Sequence, residues 1–160
     1  MSDSERIAAT RRIAASASTI FDLVTDPNGH VHIDGSGMLV AARNAGRLRN
    51  VGDTFEMDMD REPLGDLPMG KYRVQNTVTR IAPDAQLEWA VGRVGEPPFG
   101  HVYGYLLHAV GERETEVTSY CDWSGMSAEI KEAMSWPVVP VDALVNSLEN
   151  LDHIVAERNN

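Results

Sequence analysis

The sequence predicts an α+β protein: a curved antiparallel sheet of about seven strands, two short helices after the first strand, and one long C-terminal helix packed on the sheet. Three observations predict it. From Met38 onward, short runs of alternating apolar and polar residues, separated by turn formers, continue for about ninety residues. Val141, Leu144, Val145, Leu148, Leu151, Ile154 and Val155 then recur at steps of three and four, the apolar stripe of a helix of about four turns. Between the first strand and the alternating region, cap residues precede apolar residues at helical spacing.

Residues 6–15 open the chain as a strand, with Ile7, Ala9, Arg11 and Ile13 in one phase. Ser16, Ala17 and Ser18 supply N-cap residues before Ile20, Leu23 and Val24, which share one face of a short helix that ends at Asp26-Pro27. Residues 28–36 read as a second helical turn and then a loop at Gly35, Ser36 and Gly37. Strands follow at 38–42 and 54–60, the latter with Phe55, Met57 and Met59 on one face and Glu56, Asp58 and Asp60 on the other. After a Pro/Gly-rich loop at 62–70 come strands at 72–81 and 86–94, divided by the turn at Pro83. A loop at 95–100 precedes strands at 101–110 and 115–123, joined as a hairpin through Gly111, Glu112 and Arg113. Residues 126–136 hold a helical turn, and Pro140 suits the start of the last helix.

The 160 residues suit one domain, 1–160, of ordinary globular composition, with 42% hydrophobic and 24% charged residues. No apolar run approaches the ~18 residues of a membrane span, and the first residues lack a secretory signal, so no membrane insertion and a cytoplasmic location are expected. A lone cysteine, Cys121, cannot form an internal disulfide, which agrees with a reducing compartment. The formal charge is −10, with 4 basic against 13 acidic residues after residue 80, and a chain of that sign repels nucleic acid. Arg43, Arg47 and Arg49, interleaved with Gly46 and Asn50, read as a solvated loop rather than an anion site.

A single helix against a strongly curved sheet leaves space that side chains need not fill. Residues in phase with Trp89 should face the helix: Leu87 and Val91 beside it; His101, Tyr103 and Tyr105; Val117, Ser119 and Cys121; Met57 and Met59. With Leu148 from the helix, this is a mostly apolar lining with a few polar tips, suited to burying a hydrophobic body and orienting it by a few hydrogen bonds. The candidate ligand-binding residues are thus Met57, Met59, Trp89, His101, Tyr103, Tyr105, Ser119, Cys121 and Leu148. His101, Tyr103 and Tyr105 are also the residues that could exchange protons in a dry site. Cys121 at an inward position reads as a small apolar filler rather than a nucleophile. His30, His32 and Asp34 alternate as metal ligands would on a strand, but they stand in a helical turn and loop, so no metal and no other cofactor is expected. Asp122 beside Trp123 reads as a brace for the following loop.

The order of elements and several local stretches resemble the START/Bet v 1-like (SRPBCC) superfamily, in particular its polyketide cyclase/dehydrase-like branch. Ile13 to Ser16 leading into Ile20 to Pro27 looks like that family's opening strand and helix; His30, Asp34, Gly35 and Ser36 match its usual histidine, acid and Gly-Ser turn. Pro83 followed by Leu87, Glu88 and Trp89, then Tyr103 to Tyr105, then Thr115 to Thr118 and Asp122 to Ser124, resemble its last strands, while Ile33 departs from an expected tryptophan. The resemblance implies a helix-grip fold and an internal cavity for a small hydrophobic ligand, lipid-like, quinone-like or an aromatic polyketide; the oligomeric state stays open between monomer and homodimer. Two alternatives stay open. One is an aromatase/cyclase performing aldol closure and dehydration in the cavity; the other is a protein-interaction module with a filled core. The short helices with Gly35 and Gly37, and the loops at 62–70 and 95–100, are expected to rim the mouth.

Overall fold

The computed structural model describes residues 5–43, 46–64, 70–133, 136–137 and 139–158. Seven strands, β1 (Arg6–Ile13), β2 (Leu39–Arg43), β3 (Thr54–Asp60), β4 (Lys71–Ala82), β5 (Gln86–Arg93), β6 (Pro98–Gly111) and β7 (Glu114–Asp122), form one sheet in the order β1-β7-β6-β5-β4-β3-β2. Every neighbouring pair is antiparallel. The helices are α1 (Ala17–Val24), α2 (Pro27–Ile33), α3 (Ala128–Ala133) and α4 (Val141–Arg158). No helix among the described residues is long and apolar enough to cross a membrane.

The local chemistry explains the short helices. Ser16 sits in extended backbone and its Oγ accepts from the Thr19 N–H at 3.2 Å, while the Asp26 carboxylate accepts from the Asn28 N–H at 3.0 Å with Pro27 at the first helical position. Ile20, Leu23 and Val24 of α1 and Ile33 of α2 are buried in the main core with Phe55, Met57, Val78, Leu87 and Val117. The sheet curves where its register slips: β2/β3, β4/β5, β5/β6 and β6/β7 each carry an irregularity, and extra residues bend and twist a strand locally.

Two expectations are corrected. The loop read at 95–100 is shorter, because β6 already begins at Pro98 and pairs with Gly92. A side chain at Gly92 would stand 3.0 Å from the Pro98 Cα, so the absent Cβ is what lets the two backbones meet. The stripe on α4 is also rotated. Val141 and Val145 are 42% and 40% exposed, whereas Ala143, Leu144, Ser147, Leu148, Leu151 and Val155 are buried. Val145 stands about 100° around the helix from Leu144, and the small residues Ala143 and Ser147 take the inner face because the loop after α2 presses on it. There the Gly35 N–H donates to Ser147 Oγ at 2.8 Å, and Asn150 Nδ2 donates to the carbonyls of Ile33 at 3.0 Å and Asp34 at 3.3 Å. At the other end Arg11 of β1 meets Asp152 at 2.8 Å.

Candidate functional site

The concave sheet face, α4 and the segments before α4 enclose a cavity of about 840 Å³. Strand alternation supplies most of its wall: Met57 and Met59 from β3; Tyr72, Val74 and Asn76 from β4; Trp89 and Val91 from β5; Phe99, His101, Tyr103 and Tyr105 from β6; Ser119 from β7. Register aligns these rows, with Trp89 opposite Tyr103, Tyr105 opposite Ser119, and Asn76 opposite Val91. Ala143, Leu144 and Ser147 of α4 form the facing side, with Trp136 and Val139 before them. His30, Asp34, Ser36 and Met38 bring the region after α1 to the same space, and Ile130 brings α3.

Of the nine residues singled out in the sequence, Met57, Met59, Trp89, His101, Tyr103, Tyr105 and Ser119 stand in this wall. Cys121 and Leu148 do not. Cys121 lies nearer the end of β7, fully buried with Trp123 and Met126, and Leu148 points into the main core beneath the sheet. Leu87 and Val117 are likewise fully buried core residues, and Val91 is a wall residue. Wall residues not singled out from the sequence are Tyr72 and Asn76, whose shared phase with Val74 is the available signal, and Phe99, which the turn formers at 95–100 place in a loop. Trp136 had no periodic signal. Of the expected rim, Ser36 beside Gly35 and Gly37 and Phe99 reach the cavity; residues 65–69 of the loop at 62–70 lie outside the described residues.

The alternating His30, His32 and Asp34 do not converge. His30 is buried with Nε2 at 2.6 Å from the Val24 carbonyl, whereas His32, two residues on and so about 200° around α2, is exposed. A carbonyl only accepts, so Nε2 carries the hydrogen of a neutral His30 and Nδ1 is left as an acceptor. The Asp34 carboxylate is engaged by Ser36 N–H at 2.9 Å, Ser36 O–H at 2.6 Å and Leu39 N–H at 3.1 Å, which shapes the loop onto α4. Asp122 accepts from the N–H and O–H of Ser124 at 2.9 and 2.6 Å and braces the turn after β7. Arg43 is bound to Asp58, and Arg47 donates to the Asp22 carbonyl and Thr25 Oγ1.

Burial sets the protonation of the wall. Loss of hydration lowers His101 to about 4 and lowers His30 as well, against the smaller opposing effects of Val24, Asp26 and Asp34. The same cause raises the Tyr103 and Tyr105 phenols and pushes the Cys121 thiol up to about 12. At neutral pH all five are uncharged, able to offer hydrogen bonds but reluctant to exchange protons. Three buried side-chain atoms among the described residues have no partner: His101 Nδ1, Trp136 Nε1 and Asn76 Oδ1. All three belong to wall residues, and an unpaired buried polar group costs about 1–3 kcal/mol.

A seven-stranded antiparallel sheet curled around one long C-terminal helix, with two short helices inserted after the first strand, is the Bet v 1-like helix-grip fold. Solved structures with this fold include protein Ms6760 from Mycobacterium smegmatis (TM-score 0.67, 14% identity, 99% of this chain and 95% of that chain). Norcoclaurine synthase from Thalictrum flavum in complex with dopamine and hydroxybenzaldehyde is another (TM-score 0.63, 16% identity, 95% and 86%). A third is the ginseng major latex-like protein 151 from Panax ginseng (TM-score 0.64, 13% identity, 93% and 95%). In sequence, the chain is similar to the uncharacterized protein Rv0088 of Mycobacterium tuberculosis, 28% identical over 123 residues, 77% of this chain and 50% of that protein. The chain thus spans about half the length of the curated relatives it matches. No family model matches it.

Proposed function

We propose that the chain binds one small, largely apolar molecule in the cavity between sheet and α4. The observation that carries this reading is an 840 Å³ interior space, walled mainly by apolar and aromatic side chains, with unpartnered polar atoms of His101, Trp136 and Asn76 in that wall. Burying apolar ligand surface drives entry, at about 2.5 kcal/mol per 100 Å² removed from water. Polar ligand atoms that reach the unpaired groups orient it. Norcoclaurine synthase, whose structure holds dopamine and hydroxybenzaldehyde, is an example of this fold taking small molecules.

Binding is favoured over aldol cyclisation by the chemistry of the wall. A general base works best with a pKa near the working pH, and His101 at about 4 is a weak base while Tyr103 and Tyr105 are weakened as acids. An interaction module with a filled core would lack the open interior. The test is native mass spectrometry of the protein purified from its own host, followed by extraction and identification of what it carries. One hydrophobic species per chain is the expected result. An empty protein whose thermal midpoint is unmoved by a panel of lipids, quinones and aromatic polyketides would overturn the reading.

A further inference from the structure

Six of the ten Phe, Trp and Tyr residues of the chain line the cavity: Tyr72, Trp89, Phe99, Tyr103, Tyr105 and Trp136. Their arrangement is not random. Trp89 lies next to Tyr103 and Tyr105 on the neighbouring strand, with ring centroids 6.3 and 6.1 Å apart and planes inclined by only 27° and 38°. Both tyrosine rings thus stand at small angles to the indole, and His30 adds a further ring against it, 4.8 Å from Trp89 at 37°. At another part of the wall the rings of His101 and Trp136 meet at 4.8 Å, and here Nδ1 of one and Nε1 of the other are both buried without a partner. The indole N–H can only donate, so what it lacks is an acceptor.

We propose that the cavity selects a planar aromatic molecule carrying an oxygen substituent, its ring packed against the aromatic cluster of Trp89, Tyr103 and Tyr105 and its oxygen held at the His101–Trp136 pair. This rests on the binding reading above and narrows it from any apolar ligand to one chemical class. Ring faces prefer offset or edge contact with another π-system beyond what equal apolar area supplies, and a saturated ring or acyl chain forgoes that gain. A hydroxyl or carbonyl oxygen accepts from the indole once the two rings turn toward it. A hydroxyl also donates to an unprotonated Nδ1.

The test is a matched pair of ligands that share a carbon skeleton and a hydroxyl and differ in aromaticity, 2-naphthol and decahydro-2-naphthol, titrated by isothermal calorimetry into the intact chain. Two ring contacts of ordinary strength correspond to about a tenfold or larger preference for 2-naphthol. Trp89→Leu, checked by circular dichroism for an unchanged fold, should erase most of that preference while leaving the saturated alcohol within about threefold. Should Trp89→Leu not fold, Tyr105→Leu serves the same purpose. Equal affinity for the pair, a preference that survives loss of the Trp89 ring or of its Tyr105 substitute, or no binding of 2-naphthol overturns the aromatic selectivity. Palmitate titrated in the same assay separates the two levels of failure: if it binds where 2-naphthol does not, the cavity binds ligands of another class, and if nothing binds, the binding reading falls as well.

Discussion

The contact between the loop after α2 and the C-terminal helix is tight enough to predict the effect of a single methyl group. A Cβ on Gly35 would stand 2.5 Å from the Ser147 backbone nitrogen, 2.6 Å from Asn146 Cβ, and closer still to the Ala143 carbonyl oxygen. These are mostly backbone atoms of one helix and cannot step aside singly. For Gly35→Ala to be accommodated, the 2.5 Å approach must open to the 3.4 Å of ordinary contact, so α4 and the loop separate by about 0.9 Å. That movement stretches the 2.8 Å bond from Gly35 N–H to Ser147 Oγ and the bonds from Asn150 to Ile33 and Asp34 past useful length. Loss of the Gly35 bond and of the pair made by the single Asn150 amide, at about 1 kcal/mol for each donor group, with about 1–3 kcal/mol of overpacking, gives a loss of roughly 3–5 kcal/mol. In a chain of this size that lowers the melting temperature by roughly 10 °C. Urea unfolding followed by far-ultraviolet circular dichroism measures it. Gly46→Ala is the control, because a Cβ there meets nothing within 4 Å, and it should be neutral or stabilise by up to about 1 kcal/mol. If Gly35→Ala costs less than about 1 kcal/mol, or no more than the control, the inferred contact between loop and helix is wrong.

Two further outcomes follow from burial. His101 at about 4, against 6.5 in the unfolded chain, means that the folded protein binds fewer protons between those values, and the lowered His30 acts in the same direction. Stability is therefore complete above pH 6.5 and falls as pH drops toward 4, by about 3 kcal/mol for His101 if the whole difference is expressed. The depressed carboxylates Asp53, Asp58 and Asp122 titrate below 3.8 and lie outside this window. His101→Phe should flatten part of the difference in urea midpoint between pH 5 and pH 7.5, and an unchanged difference would contradict the assignment. On α4, Leu148→Ala should cost about 2–5 kcal/mol and Val145→Ala less than about 0.5, since the first is 1% and the second 40% exposed; similar losses would show the helix face to be misassigned.

The strands and helices were legible in the sequence because each rests on local chemistry. The alternation of Phe55, Met57 and Met59 with Glu56, Asp58 and Asp60 sets β3 at the bounds expected, and Ser16 caps the helix that its position announces, while Asp26, which the sequence marks only as a stop for α1, also caps α2. Alternation on β5, β6 and β7 likewise told which side of each strand turns inward, so seven of nine singled-out residues reach the cavity wall. Where along an inward face the cavity ends was not local. Ser119 touches the space and Cys121 does not, because Trp123 and Met126, beyond the end of the strand, fold over the cysteine.

What the sequence by itself determined is the order of elements, the inward phase of each strand and the apolar character of the interior, since period and burial preference are properties of neighbouring residues. Only the tertiary structure decided the rotation of α4, the start of β6 and the membership of Trp136 in the wall. Each of these depends on a contact between two segments: the Gly35 backbone on Ala143 and Ser147, the Gly92 backbone on Pro98, the Trp136 ring on the His101 ring. Such meetings are set by the close approach that a missing side chain permits and by the shape of the curved sheet, and neither is encoded in the period of any single segment.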